Sequence, residues 1–341
     1  MTNYNIKNEI LKKQYEQYLE LDERLSAKTV HVRIKDLRKY EEVTNFKDFT
    51  TFNANQALDF KDMYKKAQNS KGKYVRYATI FRTLTNLKEF FLWLAKQNGY
   101  KRKIKVTDIR AFNLTKKEKN IAKTKGFKNV PTLEQIYKTI YAMPTRTEKD
   151  KRNQAMVAFT ILTGVRVTAL MSLQLQHVDE YKHHVKQDPN VVKTKFGKTI
   201  LTQFFPVDKD VQQIVLNWIK YLKEEKMFGR EAPLFPSMAS EWDKDTQTFL
   251  RDNLSTSHMQ STTTVRDIFK EAFQNAGIEY FNPHVFRDTL VQLGERICTT
   301  PEDFKAWSQN IGHSSPLTTF TSYGDVYPTR QCDIIRKLAE K

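Results

Sequence analysis

Residues 312–324 read GHSSPLTTFTSYG. The stretch holds one histidine, six Ser/Thr hydroxyls and one tyrosine, with only Leu317 and Phe320 as larger apolar residues. Gly, Ser and Pro punctuate turns, so a turn followed by a short helix is the local expectation. That reading gives no reason for His313 and Tyr323 to share one short polar segment. The reason has to come from the rest of the chain.

The chain has 341 residues, too many for one small core, and two domains are expected. No apolar run approaches the roughly 18 residues of a membrane span. The start, MTNYNIKNEILKK, lacks an apolar h-region, so no secretory signal is expected. Two cysteines, Cys298 and Cys332, are too few for a disulfide framework or a Cys-rich zinc site. A cytoplasmic location is the expectation, with no membrane partner. Charge says more. Lys and Arg number 57 against 39 Asp and Glu, a net +18. Residues 1–130 hold 30 basic against 14 acidic residues, and residues 131–341 hold 27 against 25. A basic excess confined to one part of a chain is the footprint of polyanion binding. Nucleic acid is the favoured partner, and an anionic membrane the weaker competitor.

The first 110 residues read as helices. ILKKQYEQYLELDERL places Ile10, Tyr15, Tyr18 and Leu19 at helical spacing, and a second helix follows Ser26. A third lies in NANQALDFKDMYKKAQ, capped by Asn53 or Asn55. In the fourth, Tyr77, Phe81, Leu84, Leu87, Phe91 and Leu94 recur every three or four residues, and Gly99 follows as a stop. That period is what burial requires, so these aromatics are expected in a core and not as base-stacking platforms. From Lys101 to Lys128 eleven basic residues meet only Asp108 and Glu118, without a sustained period. This segment is expected to leave the first domain at about residue 115 and to continue as a basic linker over 116–130. Lys101, Arg102, Lys103, Lys116, Lys117, Lys123 and Lys125 are its candidate phosphate contacts. Thr132, with Gln135 behind it, is the expected N-cap that opens a second domain over 131–341.

That second domain is expected to be mainly helical with one β interruption. AMVAFTILTG reads as a buried helix ending at Thr163-Gly164, and VRVTALMSL starts another. NVVKTK and TILTQFFPV read as a hairpin around Phe196-Gly197-Lys198, after which helices resume to the end. Within this frame Arg166 sits in an apolar sequence, where a guanidinium must reach solvent, a carboxylate or an anion. A snorkelling arginine at a helix start satisfies the same sequence. In NPHVFRDTLVQLGERI, His284 and Arg287 are three apart, on one face if helical, behind an Asn282-Pro283 start. A capped helix with incidental polar residues competes with that reading. Lys195 lies at the hairpin tip beside Lys193 and Lys198, where lysines are usually solvated.

Taken in order, TGVRVTALMSLQLQHVD, VKTKFGKTILTQFFPV, YFNPHVFRDTLVQLGE and WSQNIGHSSPLTTFTSYG resemble the tyrosine recombinase, or phage integrase, family. The blocks span about Thr163 to Gly324, and the basic helical half fits the family's core-binding domain more loosely. The resemblance implies a mainly α fold with a small β-sheet (α+β), a helical core DNA-binding domain and a catalytic domain forming a C-shaped clamp. It implies that Arg166 and Arg287 hold the scissile phosphate with His284 and His313, that Lys195 is the general acid, and that Tyr323 is the nucleophile. Double-stranded DNA and a tetramer on two DNA sites are the implied partners, with room for an accessory directionality factor. A C-terminal tail, with Ile334, Ile335 and Leu338 at helical spacing, would dock on a neighbouring subunit or on its own domain.

Elementary chemistry is consistent with those roles. Planar guanidinium forks neutralise non-bridging phosphate oxygens, and a phosphotyrosine conserves the bond energy, so neither metal nor ATP nor another cofactor is required. Clustered carboxylates of a two-metal nuclease are absent from the sequence. Two features depart from the family pattern. Ala169 stands where the family often has an acidic residue, and His313 precedes Tyr323 by ten residues, one more than the commonest spacing. Tyr327 competes for the nucleophile's role. A non-catalytic DNA-binding regulator on the same fold and a type IB topoisomerase are the alternative functions.

Overall fold

Asn5, Ser26, Asn53 and Thr132 each accept a hydrogen bond from a backbone N–H in the first turn that follows, and each opens a helix. In this computed structural model residues 4–70, 72–124, 129–194, 197–239, 241–243, 248–250, 253–313 and 336 are described. The chain divides into two compact units, Met1–Lys125 and Gly126–Lys341.

The first unit is built from α1 (Ile6–Leu21), α2 (Ala27–Val43), α3 (Ala54–Lys66), α4 (Tyr77–Leu94), α5 (Val106–Ile109) and α6 (Lys116–Lys123). Its core is aromatic. Tyr15, Tyr40, Phe49, Phe60, Phe90, Phe91 and Phe112 are fully buried, and Phe52 stacks on Phe91 with ring centroids 3.9 Å apart. Each such ring contributes on the order of 1.5–3 kcal/mol on leaving water. Of the expected α4 stripe, Leu84, Leu87, Phe91 and Leu94 are core, joined by Ile80 and Phe90, while Phe81 and Tyr77 are only half-buried. In α1, Ile10 is 54% exposed and Leu11 takes its place inside. Two buried carboxylates tie helices together. Glu41 of α2 accepts from Lys12 of α1 at 2.5 Å, and Asp36 accepts from Lys39, Thr83 and Asn86, joining α2 to α4.

The expected basic linker is not what the chain forms. Ile104, Ile109, Phe112 and Leu114 are buried in the first core, and Thr115 and Glu118 make a reciprocal capping box that starts α6. Glu118 also takes Lys65 of α3 at 2.6 Å, so residues 116–123 belong to the first unit. Few apolar residues sufficed because short helices packed on an existing core need only one anchored face. Lys101, Arg102, Lys103, Lys116, Lys117 and Lys123 remain exposed, and Lys125 lies outside the described residues.

The second unit runs α7 (Leu133–Tyr141), α8 (Glu148–Thr163), α9 (Val167–Leu170), β1 (Val178–Asp179), β2 (His184–Gln187), β3 (Ile200–Gln203), α10 (Lys209–Lys220), β4 (Pro236–Met238), β5 (Glu241–Asp243), β6 (Thr248–Leu250), β7 (Leu254–His258), α11 (Thr262–Asn275), α12 (Val285–Ile297) and α13 (Pro301–Asn310). Every residue of α8 from Ala155 to Thr163 is buried, which explains its unbroken apolar run in place of a stripe. Strands β1, β2 and β3 form an antiparallel sheet in that order, with Gln187 opposite Ile200.

Two β expectations are corrected. The partner of β3 is His184–Gln187 and not NVVKTK, because Asp188 turns the chain, accepting Val191 N and Val192 N on its carbonyl and Asn190 N on its side chain. The loop between β2 and β3 is therefore long. Helices also do not run uninterrupted after Asp210, since β4 pairs with β7 and β5 with β6. Short polar strands such as LSTSH carry little apolar alternation, and only pairing reveals them.

Candidate functional site

Gly164 ends α8 in the left-handed conformation, at φ +58°, and its N–H closes the helix on Thr160 O. A Cβ there would stand 3.0 Å from Leu290 Cδ1 and 3.6 Å from Arg287 Cγ, so glycine also permits α12 to come close. Thr163 Oγ1 accepts from Val165 N, and Val165 is buried, which fixes the chain as it enters Arg166. Arg166 is the N-cap of α9 and only partly exposed. Burial pushes its guanidinium below the usual arginine range.

Arg287 lies on the inner face of α12 beside Phe286, Leu290 and Val291, and is 4% exposed. Its Nη1 donates to the Gly164 carbonyl. This places the second arginine against the turn that carries the first. His284 is the exposed N-cap residue of α12, and its N–H donates to Asn282 Oδ1. The helix thus begins two residues later than Asn282-Pro283 suggested, and the His–x–x–Arg pair straddles the helix start, with one member exposed and the other buried.

His313 follows α13, whose end is closed by main-chain bonds from Ile311 N to Trp307 O, Gly312 N to Gln309 O and His313 N to Ser308 O. Gly312 has φ +80°. Burial, and then the positive charges of Arg287, Arg166 and His284, push the His313 imidazole down to about 4. The four groups come from three separate segments, and the three cations all act on His313. An imidazole so depressed is neutral at pH 7. It can donate or accept a hydrogen bond while the arginines carry the charge.

Helix α13 is itself set by α12. Trp307 Nε1 donates to Leu290 O at 2.9 Å, and a Cβ at Gly294 would fall 2.5 Å from that Nε1. Gly294 is a requirement of this crossing that its sequence context, QLGER, did not reveal. Ala169 is 2% exposed and packed in the core, where a charged side chain would need a buried partner. Lys193 N donates to Ser172 Oγ at 2.9 Å, tying the start of the lysine-bearing loop to the end of α9. Lys195, Tyr323, Tyr327 and the tail with Ile334, Ile335 and Leu338 lie outside the described residues. Among the described residues no group of three or more His, Cys, Asp or Glu side chains could hold a metal ion. No helix among them is long and apolar enough to cross a membrane.

A sequence model of the phage integrase family matches residues 128–330. The tyrosine recombinase XerC of Lacticaseibacillus casei (strain BL23) is 25% identical over 166 residues, which cover 48% of this chain and 51% of that protein. The chain thus spans about half the length of the curated relatives it matches. A lambda integrase(75-356) dimer bound to a COC′ core site superposes with a TM-score of 0.62 at 15% identity, covering 93% of this chain and 95% of that one. A lambda integrase tetramer bound to a Holliday junction gives 0.57 at 14% identity, covering 95% and 81%. At these identities the likeness to solved structures concerns the fold.

Proposed function

This chain belongs to the phage integrase family, and we propose that it is a site-specific DNA recombinase that breaks and rejoins DNA through a 3′-phosphotyrosine intermediate. The observation that carries the proposal is the convergence of Arg166, His284 and Arg287 on His313, a cationic cluster drawn from three segments. Such a cluster suits a phosphodiester, whose reaction gathers negative charge on the non-bridging oxygens.

In this reading Arg166 and Arg287 bind those oxygens, and the two histidines complete the hydrogen bonding. The Tyr323 oxygen attacks phosphorus, forming the tyrosyl–phosphate bond as the bond from phosphorus to the 5′-oxygen breaks. Lys195 gives the departing 5′-oxygen its proton. Rejoining is the same displacement with a 5′-hydroxyl as nucleophile, so no metal, ATP or other cofactor enters the balance. Double-stranded DNA is the substrate, bound by the second unit and by the basic first unit. A tetramer on two DNA sites is the proposed working assembly, in keeping with the lambda integrase tetramer on a Holliday junction.

The test is covalent trapping on a nicked suicide substrate, read on a denaturing gel. The unaltered chain should form a protein–DNA adduct, and Tyr323→Phe should bind DNA and form none. An adduct that survives Tyr323→Phe and disappears with Tyr327→Phe would move the nucleophile. Exchange of strands between two duplexes, as opposed to relaxation of a supercoiled circle alone, separates a recombinase from a type IB topoisomerase.

A further inference from the structure

Trp307, in the second half of α13, is half-buried and meets two other elements of the second unit. Its Nε1 donates to the carbonyl of Leu290, a main-chain atom of α12, one turn beyond Arg287. Gly294 permits that approach, since a Cβ there would fall 2.5 Å from Nε1 and 2.6 Å from Cδ1 of the indole. The ring also packs on Phe205, with centroids 4.7 Å apart and planes at 56°. Phe205 is buried, and its N–H donates to Leu162 O at 2.8 Å, in the last turn of α8. One indole therefore ties α13 both to the helix that carries Arg287 and, through Phe205, to the helix that leads into Arg166.

Packing alone does not ask for a tryptophan. A phenylalanine fills apolar space as well, and what the indole adds is one directed N–H bond. In a regular helix a carbonyl such as that of Leu290 already accepts from the N–H four residues on, so the bond does not rescue an orphaned acceptor. Its effect is on position, and it reaches His313 through the main chain. Ile311 N donates to Trp307 O at 3.1 Å and His313 N to Ser308 O at 3.0 Å, and both Ser308 and Ile311 are buried. The turn that presents His313 thus grows from the indole-bearing residue and its neighbour.

We infer that Trp307 is a positioning residue, whose indole sets the His313 turn against Arg287 and Arg166. The phosphate-binding cluster then depends on a side chain that touches neither DNA nor the reacting atoms. Held there, the His313 imidazole is half-buried and meets the charges of Arg287 and His284 from α12 and of Arg166 from the start of α9. Loosening the indole admits water and moves the imidazole away from those charges. The consequence for cleavage rests on the recombinase reading above, whereas the consequence for the imidazole does not.

The experiment follows the His313 imidazole by NMR in full-length, histidine-labelled protein without DNA, with His313→Gln identifying its resonance. Trp307→Phe keeps a ring against Phe205 and removes the N–H donor. In this variant His313 should titrate higher than in the unaltered chain, moving from about 4 toward 6.5. On a nicked suicide substrate the same variant should bind DNA as the unaltered chain does and form adduct about 10- to 100-fold more slowly, the scale of a misplaced catalytic group. Phe205→Leu removes the ring contact and leaves the main-chain bond to Leu162. It should give both effects to a smaller degree, and it carries the test if Trp307→Phe folds poorly. Ile140→Val, on α7 in the same core, lowers stability away from α13 and should change neither reading. An unmoved His313 titration in Trp307→Phe, with or without slower cleavage, would reduce Trp307 to a core contact. An equal shift in Ile140→Val would do the same. If the unaltered chain forms no adduct, the recombinase reading is overturned, and the titration by itself decides whether Trp307 positions His313.

Discussion

Arg287 of α12 donates through Nη1 to the carbonyl of Gly164, two residues before Arg166 in the chain. A bond between a buried guanidinium and the turn that ends α8 connects the two arginines of the cluster through the backbone. It also makes the glycine part of the site, although glycine has no side chain to offer.

Gly164→Ala should therefore be costly in two ways. Alanine at φ +58° is strained, and its Cβ would come within 3.0 Å of Leu290 Cδ1. A loss of about 1–3 kcal/mol in denaturant unfolding is expected, together with slower cleavage. Gly197→Ala is the comparison, because Gly197 has φ +59° but nothing within 4 Å of a Cβ. It should show the backbone cost alone. Equal losses at the two sites would mean that packing against α12 contributes nothing.

The His313 imidazole should leave a signature in stability against pH. Its folded value is about 4, below the ordinary 6.5, because burial and then three cationic neighbours disfavour the imidazolium. Between those values the unfolded chain binds the proton more readily than the folded one. The stability held above pH 6.5 is therefore lost progressively as pH falls toward 4. Thermal unfolding of the DNA-free protein should fall more steeply over that window than that of His313→Gln. Parallel curves would show that His313 is not depressed.

The general acid can be identified by the leaving group it serves. Lys195→Ala should fail on ordinary DNA and recover on a substrate with sulfur at the bridging 5′ position, whereas Arg166→Ala should fail on both. Lys193→Ala and Lys198→Ala are the necessary companions, because the loop between β2 and β3 is longer than the expected hairpin. Sulfur rescue of either neighbour, with Lys195→Ala inactive on both substrates, would reassign the proton.

Exposed lysines of the first unit should govern the salt dependence of DNA binding. Replacing Lys101, Arg102, Lys103, Lys116, Lys117 and Lys123 by glutamine in the full chain should flatten the log–log plot of affinity against salt. The slope becomes shallower by about 0.9 for each phosphate that is no longer neutralised. These side chains are exposed, and none is needed for the first core, so folding should persist. An unchanged slope would make them an ordinary solvated surface.

The sequence by itself determined the elements whose cause is local. Caps at Ser26, Asn53 and Thr132, the period of α4 and the stop at Gly164 depend on neighbours within a turn or two, and they appear where the residues put them. The ordered motifs likewise pointed to the family, because each is a short contiguous string. Tertiary structure decided what depends on distant partners. Residues 116–123 became a helix of the first unit through Lys65 and a core already formed, and β3 chose β2 over NVVKTK because Asp188 turned the chain away. Gly294 matters only through Trp307, 13 positions on. The convergence of Arg166, His284, Arg287 and His313 is of the same kind. Each residue type was legible in the string, but the charge that one feels from another falls off with distance in space, which only the folded chain sets.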